Sequence, residues 1–305
     1  MLSTDKASDF NFPVGPLHML FPHAAHLWAN GVIWAVAGAL VLLALNDFRR
    51  TRSLLGIMLL AGGALAYFNE PVDDILGLVW HPRIHQDTVL NTIGPLPMWG
   101  LPTYIVFFGG IPWLLLRELR HVRFTIKAFW IGVLLTFAAD LLIEIPLLQT
   151  HLYVYYANGT VPMSIARFPL YWLLINTTGP ILCAAILFAV PDYFTGWRKP
   201  LLILVPAAAD AGCSIVVGLP VYSALHAPGA TDLARWAGAL ISVVVGLVIL
   251  DAESKWLLAR TAALRRTATK TAGPKTGSHP RSRPRSWRVL AEGDAPSSPS
   301  AASHP

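Results

Sequence analysis

The sequence predicts an all-α, polytopic transmembrane helix bundle of about seven spans, and three observations carry that expectation. Of its 305 residues, 54% are hydrophobic and only 13% are charged, whereas an average soluble domain carries roughly a quarter charged residues. The apolar residues gather in runs long enough to cross a hydrocarbon core, which takes about 20 residues rising 1.5 Å each. Lysine and arginine then collect between alternate runs, as they do in cytoplasmic loops.

Residues 1–25 are expected to form an extracytoplasmic segment. They lack the basic start of a cleavable signal and precede an apolar run of full spanning length, so the first helix should stay in the mature chain. The expected seven-helix domain covers residues 26–258, with spans at Leu27 to Leu45, Leu54 to about Trp80, Leu101 to Leu116, Phe124 to Leu148, Pro169 to Val190, Leu201 to Leu225 and Leu233 to about Leu250. The third is interrupted by Pro102, Gly109, Gly110 and Pro112, residues that membrane helices tolerate where neighbours satisfy the backbone. Arg49, Arg50 and Arg52 follow the first span, Arg117, Arg120, Arg123 and Lys127 the third, Arg198 and Lys199 the fifth, and Lys255, Arg260, Arg265 and Arg266 the seventh. The intervening loops offer Arg83, Arg167 and Arg235 singly. This alternation would break with one span missed or invented, and it predicts the N-terminus outside and the C-terminus in the cytoplasm. Residues 259–305 read as a basic, disordered cytoplasmic tail, because from Thr267 onward Pro, Ser, Thr, Ala and basic residues leave too little apolar surface to offset ordering.

Composition also excludes several classes. Cys183 and Cys213 lie within apolar runs, which argues against a disulfide framework or a thiolate metal site. The net charge of +6 sits in loops and tail, so membrane topology accounts for it without nucleic acid. The expected surroundings are a lipid bilayer, by inference the bacterial cytoplasmic membrane, and a small apolar substrate.

Charged residues inside spans locate the chemistry. An acid at the centre of a membrane helix costs about 2.5–3.5 kcal/mol, against roughly 0.3–0.6 recovered per Leu, Ile, Phe or Val. The fourth span carries Asp140 and Glu144, four residues apart and so on one helix face. The second ends in Asn69, Glu70, Pro71, Asp73 and Asp74, where Pro71 predicts a kink or interruption. Asn176 lies early in the fifth span, and Asp210 lies near the middle of the sixth. In the predicted topology, the ends of spans two and four meet on one side of the membrane. One carboxyl that keeps its proton beside an ionised neighbour is an acid/base apparatus that needs no cofactor. Structural roles compete at each position. Asp73 and Asp74 suit helix caps, Asn176 suits interhelical bonding, and Tyr153, Tyr155, Tyr156, Tyr171 and Trp172 suit an interfacial aromatic belt. His18, His23, His26, His81 and His85 show no metal-specific spacing, so no metal is expected, and Asn158-Gly159-Thr160 is a formal glycosylation pattern only.

The stretch Asp140-Leu141-Leu142-Ile143-Glu144-Ile145-Pro146, the tyrosines Tyr153, Tyr155 and Tyr156, and Phe168-Pro169-Leu170-Tyr171-Trp172 with Asn176 and Gly179 resemble the AveC-like spirocyclase family. Asn69-Glu70-Pro71 with Asp73, and the run from Pro206 to Asp210, are similar to it as well. The resemblance covers about residues 25 to 255. Where the family's tyrosines lead into a Gly-Gln-Pro-like turn, this chain reads Ala157-Asn158-Gly159-Thr160-Val161-Pro162. It implies a cofactor-independent membrane enzyme that closes a dihydroxyketone of polyketide type into a spiroketal, with or without dehydration, in secondary-metabolite biosynthesis. The implied catalytic residues are Glu70, Asp73, Asp140 and Glu144. Asn69, Tyr153, Tyr155, Tyr156, Trp172, Asn176 and Asp210 are then expected around the substrate. Two other classes fit intramembrane acids: a proton-coupled transporter for a small solute, and a terpenoid-type membrane cyclase that protonates an epoxide or alkene. A retinal protein is excluded, since the last span has no lysine.

Overall fold

A computed structural model of the chain describes residues 13–83, 86–119, 124–157 and 161–271. Within them lie seven helices long and apolar enough to cross a membrane: α1 (His23–Thr51), α2 (Leu55–Gly77), α3 (Gly100–Leu119), α4 (Ile126–Gln149), α5 (Tyr171–Ala189), α6 (Gly196–His226) and α7 (Asp232–Leu264). The protein is an all-α integral membrane protein. Segments 1–12, 158–160 and 272–305 lie outside the described residues, and with them most of the expected tail and the glycosylation pattern.

Helix α5 sits in the middle, packed against α3, α4, α6 and α7. Its buried residues lie on nearly every side, as expected of a helix that is apolar all round. Helices α1 and α4 are peripheral. On α4 the buried residues Phe129, Val133, Thr136, Asp140 and Leu147 fall on one stripe at helical spacing, while Ile131, Leu134, Leu135 and Leu142 are exposed. That stripe turns Asp140, and Glu144 one turn on, toward the protein interior rather than toward lipid.

Three helices depart from regular geometry, each at a proline or glycine. In α2 a 3₁₀ turn, Tyr67–Asn69, separates Leu55–Ala66 from Glu70–Gly77. Pro71 has no N–H for the carbonyl of Tyr67, and that carbonyl instead accepts from the Glu70 N–H, so the kink expected at Pro71 takes the form of a tightened turn. In α3 a π-helical stretch, Ile105–Gly110, precedes Pro112, and the widened turn relieves the clash of the proline ring with the carbonyl four residues back. Helix α6 begins in 3₁₀ form, Gly196–Ile203, around Pro200.

Three small antiparallel ladders lie in the connections after α2 and α4, and so at one end of the bundle. They join β1 (Val79–Trp80) to β4 (Val154–Tyr155), β2 (Thr88–Asn91) to β3 (Pro95–Pro97), and β5 (Ser164–Ile165) to β6 (Phe168–Pro169). The first matters most. It pairs Val79 with Tyr155 and Trp80 with Val154, and the Tyr156 N–H extends it to the Leu78 carbonyl at 2.8 Å. The chain leaving α2 is thereby tied to the chain leaving α4.

The last helix differs from expectation. It continues as a helix to Thr271, beyond Leu250 and into the segment read as irregular from residue 259. Leu257 and Thr261 are buried, and Arg260 donates to the Ala189 carbonyl at the end of α5 at 3.3 Å, so packing extends the helix where composition alone predicted none.

Helices α2 and α3 touch backbone to backbone. A methyl group built on Gly63 would lie 2.7 Å from both the Tyr104 carbonyl oxygen and the Gly109 nitrogen, and one on Gly109 would lie 2.6 Å from the Leu59 carbonyl oxygen. Small residues allow such approach in membrane bundles. Gly63→Ala should therefore push the two helices apart and cost about 1–3 kcal/mol, lowering the thermal midpoint of the detergent-solubilised protein. An unchanged midpoint would contradict this contact.

Candidate functional site

The site follows from the two irregular turns and the β1–β4 ladder. The 3₁₀ turn in α2 leaves the Asn69 amide free to donate across to α6, to the Ala207 carbonyl at 3.0 Å and to Asp210 Oδ2 at 2.8 Å. Past that turn, Glu70, Asp73 and Asp74 occupy the last two turns of α2. The ladder then folds the β1 side, ending in His81, against the Tyr153 to Tyr156 segment.

Between them lies a cavity of about 70 Å³ lined by six carboxyl groups: Glu70, Asp73 and Asp74 from α2, Asp140 and Glu144 from α4, and Asp210 from α6. Asn176, Trp172, Tyr153 and Tyr155, all expected at the site, line it too. Tyr156 falls elsewhere, edge-on to Trp80 with ring centres 5.9 Å apart. Asn69 reaches the cavity through Asp210.

The carboxyl groups are individually held. The Tyr104 hydroxyl in α3 donates a short hydrogen bond to Glu70 Oε2, and the Ser214 hydroxyl in α6 donates to Asp73 Oδ1. The Asn176 amide is 3.2 Å from each oxygen of Asp140, whose side chain is buried. Glu144 is half-buried and has no protein hydrogen-bond partner among the described residues. Asp74 Oδ2 lies 3.4 Å from His81 Nε2, and Glu70 Oε1 lies 3.8 Å from the same atom.

An aromatic wall closes the end away from the helices. His81, Trp99 and Tyr153 pack with ring centres 5.5–5.9 Å apart, and Tyr155 continues toward Trp172 at 6.1 Å. Burial pushes the Tyr155 phenol up, so it stays a donor at neutral pH. Burial alone would pull His81 down, but the neighbouring Asp74 and Glu70 charges outweigh it and hold the imidazole at about 10.

Sequence reasoning missed Tyr104, Ser214 and Trp99, and it passed over His81. Nothing in the sequence marks Tyr104 or Ser214, each a lone polar residue in an apolar run. For His81 the signal was its spacing behind Glu70 and Asp74. The expected interfacial belt is confined to part of the aromatic set, since Tyr153, Tyr171 and Trp172 are buried.

Fold and site together define a polytopic membrane protein with an acid-lined chamber near one end of its bundle. Comparison with known proteins finds no matching family model, characterised protein or solved structure.

Asn69→Leu keeps the volume of the side chain and removes the donor to buried Asp210. Loss of that bond should cost about 1–3 kcal/mol, measured as a lower unfolding midpoint in detergent. Equal midpoints for variant and wild type would show that Asp210 does not depend on Asn69.

Proposed function

We propose that this protein is a membrane-embedded acid/base cyclase that closes a dihydroxyketone into a spiroketal, acting from an integral position in the bacterial cytoplasmic membrane with its chamber facing away from the cytoplasm. One observation carries the reading: acids from separate helices meet in one shielded cavity, and their partners differ. An amide facing both oxygens of Asp140 suits an ionised carboxylate, whereas Glu144, open to the cavity, suits a proton donor. Glu70 and Asp73, each accepting from a hydroxyl, of Tyr104 and Ser214, line the same cavity as two further acids.

Spiroketal closure requires both roles in turn. The acid protonates the ketone oxygen as the first hydroxyl adds to the carbonyl carbon, and the carboxylate takes the proton from that hydroxyl. The carboxylate, now protonated, gives that proton to the hemiketal hydroxyl, which leaves as water. The second hydroxyl attacks the resulting oxocarbenium carbon and passes its proton to the acid, which restores the pair. Two C–O bonds form, both carbonyl C–O bonds are lost, one water departs, and no oxidant or reductant is consumed. Tyr155 and Asn176 are placed to orient oxygen atoms, and holding both hydroxyls near the carbonyl adds proximity. The cavity of about 70 Å³ is well below the roughly 300–1,000 Å³ that encloses a drug-sized ligand. It therefore receives the ketone and its hydroxyls, and the substrate's apolar arms extend beyond it.

The same narrowness favours a second reading, a proton relay coupled to movement of a small solute. Proton-gradient-driven uptake into proteoliposomes, without conversion of a dihydroxyketone, would establish that alternative.

Membranes carrying the protein are expected to convert a synthetic dihydroxyketone to its spiroketal, and Asp140→Asn and Glu144→Gln should each slow turnover by about 100-fold or more, the usual weight of a positioned acid or base. Equal turnover in wild type and both variants would remove the proposed roles.

A further inference from the structure

A short piece of chain brings three metal-ligating side chains together. Glu70 and Asp74 stand one turn apart at the end of α2, and His81 follows beyond the left-handed Leu78 that ends the helix. One ligand atom from each lies within 4.8 Å of the others. The imidazole is only 3% exposed, and neither of its nitrogens has a hydrogen-bond partner among the described residues. A buried imidazole aimed at two carboxylates without bonding to either leaves both ring nitrogens unsatisfied, which is costly in a protein interior.

The spacing indicates what satisfies it. In a tetrahedral zinc site with bonds of about 2.0–2.1 Å, neighbouring ligand atoms stand about 3.3 Å apart. His81 Nε2 lies 3.4 Å from Asp74 Oδ2, close to that tetrahedral edge, and 3.8 Å from Glu70 Oε1, about half an ångström beyond it; both are longer than a good hydrogen bond. An octahedral magnesium site has shorter edges and prefers oxygen ligands throughout. Outer support is present as well: Tyr104 binds the other oxygen of Glu70 and so fixes which oxygen faces His81, as partners behind metal ligands do.

The geometry points to a divalent zinc-type metal site formed by Glu70, Asp74 and His81, with its remaining coordination position open to the acid-lined cavity. Three protein ligands and one open position are the pattern of zinc sites that bind and polarise a substrate or water oxygen. Glu70 belongs both to this site and to the acids of the cyclase reading, but the cyclase variants lie on α4 and metal binding is read with no substrate present, so failure of the one is seen separately from failure of the other.

The test uses the full-length, untagged protein in detergent, stripped with chelator and then dialysed against buffered Zn²⁺ or, separately, Mg²⁺, with bound metal measured by elemental analysis. Wild type should take up a single Zn²⁺ per chain in preference to Mg²⁺ and gain thermal stability as it does. His81→Ala and Asp74→Asn should each weaken Zn²⁺ binding by about tenfold or more. Stripped wild type needs no variant to fold: if it takes up no Zn²⁺, or prefers Mg²⁺, the site is wrong. Equal Zn²⁺ affinity in wild type and two folded variants would overturn it as well.

Discussion

A carboxyl group at the centre of a membrane helix costs about 2.5–3.5 kcal/mol on the insertion scale, and six of them surround one cavity here. The bundle is arranged around giving those groups partners. Asp210 receives Asn69 from α2, Asp73 receives Ser214 from α6, Glu70 receives Tyr104 from α3, and Asp140 faces Asn176 on α5. Each partnership crosses between helices, so the polar groups that burden single helices in lipid become the contacts that fix one helix against another.

These partnerships depend on local irregularity. A regular helix through Tyr67 to Asn69 would aim Asn69 differently, and the tightened turn before Pro71 sets both its reach to Asp210 and the direction of Glu70. In α3 the π-helical stretch contains Phe107 and Phe108, which line the cavity below Tyr104. Extra residues in a helical turn shift the facing of everything after them, and such turns recur at functional sites for that reason. The Gly63 to Gly109 contact brings the π-helical stretch to backbone distance of the regular turn of α2 that precedes Tyr67–Asn69.

The spans and the acids were legible in the sequence because both rest on strong terms: apolar length against the width of a bilayer, and the cost of charge within it. Spacing put Asp140 and Glu144 on one face and the cost of charge in lipid turned that face inward, and the stripe from Phe129 to Leu147 agrees. Much less could be read where geometry departs from the ideal. The partners Tyr104 and Ser214 become visible only once the turns are known. The β1–β4 ladder joins two-residue strands across distant sequence, too short to leave an alternating pattern. The placement of Tyr156 against Trp80, apart from Tyr155, follows from that ladder's register, since adjacent residues of an extended segment point to opposite faces. The extension of α7 was not legible because past Leu250 charged residues interrupt the apolar run, and contacts such as Arg260 to the end of α5 hold the helix there.

Glu144 stands apart from its neighbours in a way that packing does not explain. Structural acids in an apolar bundle are retained by the donors that satisfy them, and four of the five other cavity acids have such a donor from a separate helix, with His81 standing beside the fifth. Glu144 lies one turn beyond Asp140 on α4 and lines the cavity together with Tyr155, yet no donor bonds to it among the described residues. An acid kept at that cost without a protein partner takes its hydrogen bond from whatever fills the cavity. In the cyclase reading proposed above, that is the position of the proton donor: its neighbour Asp140 is already matched by Asn176, and its own proton would serve a substrate oxygen.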